Sequence, residues 1–86
     1  MSLGREIREE RVVNTDLSVK EFAMKVGVSA VYITQIEKHN KLPSYDVMRD
    51  ITEVLGNPFL MNLYVAERFP GLIESLEANA VRALEF

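Results

Sequence analysis

Few side chains in this chain are equipped for covalent chemistry. His39 is the one histidine, and there is no cysteine. A lone imidazole lacks the partner groups that acid–base or nucleophilic catalysis needs. A thiolate cluster or a multi-histidine metal site cannot be assembled from this composition. No glycine-rich phosphate loop, metal-ligand spacing or triad-like set stands in the 86 residues. The chain is read as a non-enzyme that uses neither a metal nor a cofactor. What remains is non-covalent recognition. Lys20, Lys25, Lys38 and Lys41 offer ammonium groups, and the Gln35 carboxamide both donates and accepts.

These groups sit in or beside the stretch Ser18 to Glu37, so the elements that hold that stretch decide what they can do. Ser18 and Glu21 have capping-box spacing, which predicts a helix from Val19. Phe22, Ala23 and Val26 give it one apolar side. Gly27 suits a left-handed turn after Val26. Val28 then packs inward, and Ser29 caps a second helix anchored by Ile33 and Ile36.

The spacing of Ala23, Gly27, Ile33 and Ile36 resembles the helix-turn-helix of the Cro and phage-repressor family, over roughly Leu3 to Gly56. The resemblance implies an all-α, compact five-helix lambda-repressor-like bundle whose second motif helix enters the DNA major groove. It implies base contacts from Ser29, Ala30, Val31, Thr34 and Gln35. Gln35 is the polar reader, matched to an adenine edge, while Ala30 and Val31 offer apolar contact to a thymine methyl. Several phage repressors carry glutamines where Ala30 and Val31 stand, and often one at Val19. Phosphate contacts are expected from Lys20, Lys25, Tyr32, Lys38, Asn40 and Lys41. Arg8 matches an arginine of the family's first helix that pairs with a glutamate corresponding to Glu37, so a half-buried Arg8–Glu37 clamp is expected. His39 stands near the family's usual glycine, where a positive φ is expected.

Around the motif, Leu3, Ile7 and Val12 suggest a first helix, with Gly4, Arg5, Arg8 and Arg11 interleaved. The link through Val12 and Val13 to Leu17 is longer than the family's, either as an extra helical turn or as a bulging loop. Val12 and Val13 are poor helix formers but good interior residues, and Leu17 reads as a hydrophobic staple. Ser44 caps a fourth helix with Val47, Met48, Ile51, Val54 and Leu55 inward, ending at Gly56. Asn57 and Pro58 open a fifth, with Phe59, Leu60, Leu63 and Tyr64 as packing residues. Phe69, Pro70 and Gly71 break it. An additional C-terminal helix is expected through Leu72, Ile73, Leu76, Ala80 and Leu84. The chain thus divides into a DNA-binding domain, 1–69, and a helical extension, 70–86, that either folds back or dimerises.

The net charge of −3 is uneven: residues 1–41 carry seven basic and six acidic side chains, and residues 42–86 three and seven. The motif half is therefore the less acidic one. No apolar run reaches bilayer length and no signal peptide is evident, so a cytoplasmic protein without a membrane partner is expected. The reading is a sequence-specific, double-stranded-DNA-binding transcriptional regulator, a repressor acting as a homodimer on a palindromic site. The alternative is a protein-interaction module or antitoxin that keeps the fold with weak or no specific DNA binding.

Overall fold

The computed structural model describes residues 2–71. Among them five helices follow one another: α1 Leu3–Asn14, α2 Val19–Val26, α3 Ala30–His39, α4 Tyr45–Leu55 and α5 Phe59–Arg68. They form an all-α, five-helix bundle of the lambda-repressor-like kind. Each helix contributes a short apolar stripe to one core, centred on Ile7, Phe22, Ile33, Met48, Ile51 and Leu60. The helix expected through Leu72, Ile73, Leu76, Ala80 and Leu84 lies outside the described residues.

Local sequence sets the boundaries. Ser18, Ser29 and Ser44 each turn a side-chain oxygen back to accept a backbone N–H in the first turn of α2, α3 and α4. Gly56 closes α4 at φ 67°, in the left-handed region where a Cβ is disfavoured. The start of α5 differs slightly from expectation. Pro58 occupies the capping position, while the Asn57 carboxamide accepts from the Phe59 N–H at 3.1 Å. Phe59 is 61% exposed rather than packed. It lies about 100° around the helix from Leu60 and so misses the Leu60–Tyr64 stripe. Tyr64 is buried, and its hydroxyl donates to the Pro43 carbonyl at 2.8 Å.

The first helix holds the main corrections. The long link resolves as an extra turn, since α1 runs to Asn14. Val12 and Val13 are nevertheless 56% and 75% exposed, so they are not interior residues. The inward stripe is Gly4, Ile7 and Arg11, spaced by three and four residues. Arg8 falls off that stripe and is exposed. The guanidinium that meets Glu37 is therefore that of Arg11. Its Nε donates to Glu37 Oε2 at 2.8 Å and its Nη2 to Glu37 Oε1 at 2.9 Å. Nη1 donates to the Leu17 carbonyl at 3.1 Å, which fixes the α1–α2 loop as well. The Glu37 hydrogen bonds hold the Arg11 guanidinium charged above its usual range, against the opposing pull of burial.

Gly4 permits a close approach of α1 to α3. A Cβ there would lie 2.0 Å from the Ile36 carbonyl oxygen of α3. The orphan N–H groups of α1's first turn are all answered. Leu3 donates to Glu67 Oε1 of α5 at 2.7 Å, and Gly4 to Asn40 Oδ1 at 3.3 Å. Arg5 and Glu6 donate to the Ser2 side chain and carbonyl. A carboxylate at this end also suits the helix dipole.

Candidate nucleic-acid interface

The motif is built by two caps and one turn. At the start of α2, Ser18 Oγ accepts from the Glu21 N–H at 3.1 Å, and Glu21 Oε1 accepts from the Ser18 N–H at 3.2 Å. That bond from the Ser18 backbone, with the Ser18 side chain as a second cause, draws the Glu21 carboxyl below the usual range. Gly27 has φ 90° and donates its N–H to the Ala23 carbonyl at 2.8 Å. The Val28 N–H reaches the same carbonyl at 3.0 Å, and Ser29 then returns to extended backbone and caps α3. Three residues thus reverse the chain and aim α3 across α2. Ala23, 2% exposed, is the small residue beneath the turn.

The helix α3 is divided lengthwise. Ile33, Ile36 and Glu37 are buried against the bundle. Each buried isoleucine contributes about 1.5–3 kcal/mol to holding the helix there. On the other side Ser29, Ala30, Val31 and Lys38 are exposed, and Tyr32, Thr34 and Gln35 are half-buried at the margins. Lys20 and Lys25 are exposed on α2, and Asn40 and Lys41 just after α3. Among the described residues, no carboxylate forms an ion pair with Lys20, Lys25, Lys38 or Lys41.

Several of the expected contact residues have partners within the chain. Lys41 Nζ donates to Gln35 Oε1 at 3.1 Å and lies 4.7 Å from the centre of the Tyr32 ring. The exit of α3 places it there. Asn40 takes φ 51° and donates its N–H to the Gln35 carbonyl, which also accepts from the Lys41 N–H at 3.1 Å. The positive φ expected at His39 falls one residue later, because α3 continues through His39. Asparagine tolerates that conformation better than most side chains. The Asn40 carboxamide oxygen is turned toward the Gly4 N–H of α1.

The sequence reading set Gly4 and Arg11 between the apolar positions and so missed their inward roles, and it missed the Lys41–Gln35 link. A signal existed for the first two. Arg11 stands one turn beyond Ile7, and Gly4 one turn before it, so both share the stripe facing α3. The link had only the adjacency of Asn40, a left-handed cap former, to Lys41.

The helix-turn-helix family model matches residues 7–60, which run from the core of α1 through the start of α5. No curated protein and no solved structure matches the chain.

Proposed function

Because the chain belongs to the helix-turn-helix family, we propose that its DNA-binding regulatory function is that of a sequence-specific transcriptional repressor, acting as a homodimer on a palindromic operator. The observation that carries this reading is the lengthwise division of α3. One side is locked into the core, and the other presents Ala30 and Val31 exposed, with Thr34 and Gln35 half-buried at its margins. A helix so mounted fits the major groove.

In this reading Ser29, Ala30, Val31, Thr34 and Gln35 meet base edges. Ala30 and Val31 contribute apolar contact to thymine methyl groups. Lys20, Lys25 and Lys38 supply the phosphate contacts that set register and most of the affinity, helped by the Tyr32 hydroxyl and the Asn40 amide. So few contacts per copy support a dimer with recognition helices about 34 Å apart. The extension 70–86 is the segment proposed to join the two copies. Repression then follows from occlusion of a promoter, with no chemical step.

A second reading has one observation in its favour. Val31 on α3 is 66% exposed and Met24 on α2 is 73% exposed, and both are apolar groups that a protein partner would cover. Selection from a randomised duplex pool at several salt concentrations separates the two. A palindrome should be enriched by the full chain and lost in Gln35→Ala. Affinity should fall steeply with salt. No enrichment at low salt leaves the protein-interaction or antitoxin reading in its place.

A further inference from the structure

Gln35 is not a free carboxamide. An ammonium has only protons to give, so the atom facing Lys41 must be the Gln35 oxygen, and the amide nitrogen Nε2 points the other way. Lys41 is held in turn from two sides. Its backbone N–H is bonded to the Gln35 carbonyl, and its ammonium rests against the face of Tyr32.

We infer that Lys41 sets the base preference of this helix by turning Gln35 into a donor-only reader selective for guanine. This rests on the DNA-binding reading above and deepens it. A free glutamine suits adenine, because it can accept from N6 while donating to N7. With Oε1 engaged by Lys41, the outward atoms of the pair are the Nε2 protons and the remaining ammonium protons. The remaining lone pair of Oε1 lies beside a positive charge that repels the adenine N6 donor. Guanine offers two acceptors, N7 and O6, on the same edge and meets donors only. Lys41 thus acts as a positioning residue for Gln35 and as a second donor to the base, rather than as one more phosphate contact.

The test is selection from a randomised duplex pool by the full chain and by its Lys41→Ala and Gln35→Ala variants. The Lys41 side chain is exposed, and the backbone bond it leaves behind does not depend on it, so the variant should fold. The position read by Gln35 is the one whose preference disappears in Gln35→Ala. At that position the unmodified chain should favour guanine over adenine roughly tenfold. Lys41→Ala should lose that preference or pass it to adenine while keeping the rest of the site. Adenine enriched by the unmodified chain overturns the inference. So does a guanine preference unchanged in Lys41→Ala with uniformly weaker binding, which would make Lys41 a phosphate contact and leave the DNA-binding reading intact. No enrichment by any variant overturns both together.

Discussion

The two sides of α3 each hold a basic side chain against an oxygen acceptor. On the inner side Arg11 meets Glu37 through two hydrogen bonds, with the side chains 10% and 3% exposed. On the outer side Lys41 meets Gln35 through one bond in an exposed setting. Their energetics diverge because of the surroundings. The inner pair cannot separate without leaving an unpaired charge in a medium of low dielectric, which is strongly unfavourable. The outer pair is screened by water and contributes little to the stability of the fold. The first contact fixes where α3 lies, and the second remains available for recognition. A guanidinium with five N–H donors in a fixed fork suits the former role, and a lysine on a flexible stem the latter.

Breaking the inner contact should have the largest effect. Glu37→Gln leaves Arg11 charged and buried, and should lower unfolding free energy by about 3–5 kcal/mol in urea titration. The double variant Arg11→Met, Glu37→Leu should recover most of that loss, since an apolar pair removes both charges together. Arg8→Ala, one residue off the stripe, should stay within about 0.5 kcal/mol. A large loss there would reinstate the arginine first expected to make this clamp.

Gly4→Ala tests the same joint by crowding it. The added Cβ meets backbone rather than a flexible side-chain tip, so α1 and α3 must move apart. The expected loss is about 1–3 kcal/mol, despite alanine's better helix propensity. On the outer side, Lys41→Ala and Gln35→Ala should change stability by no more than about 0.5 kcal/mol. A larger loss would mean that the outer contact also holds the fold, and the contrast between the two sides would fail.

The smallest effect is a pH dependence at the start of α2. The folded-state value of Glu21 is lowered, so the charged form stabilises the folded chain. That contribution is complete above the ordinary glutamate range and disappears as pH falls through the lowered value. The stability advantage over Glu21→Gln, followed by thermal melts, should therefore narrow on acidification. An advantage that stays constant would remove the capping carboxylate as its source.

These outcomes also mark what the sequence makes legible. Ser18 with Glu21, Gly27, Ser29, Ser44 and Gly56 act within a turn of chain, and their backbone consequences can be read directly. The five-helix bundle follows from them together with the spacing of the apolar stripes. Contacts that join distant elements are harder to read. Arg11 and Glu37 are 26 positions apart, and the pairing depends on how far α1 continues. Val12 and Val13 suggest an interior segment by residue type, yet the register set by Leu3 and Ile7 turns both outward. The Lys41–Gln35 link depends on a left-handed residue at Asn40, whose position follows from α3 ending one residue later than its family resemblance implies.

The bond from the Leu3 amide to Glu67, beside that from Gly4 to Asn40, has a kinetic consequence. The opening turn of a helix ordinarily trades its protons with solvent fastest, because its amides have no acceptor within the helix. Here two such amides are sealed by groups from α5 and from the end of α3. Their hydrogen–deuterium exchange should be as slow as that of interior amides, and fraying of this end should require α5 to loosen with it.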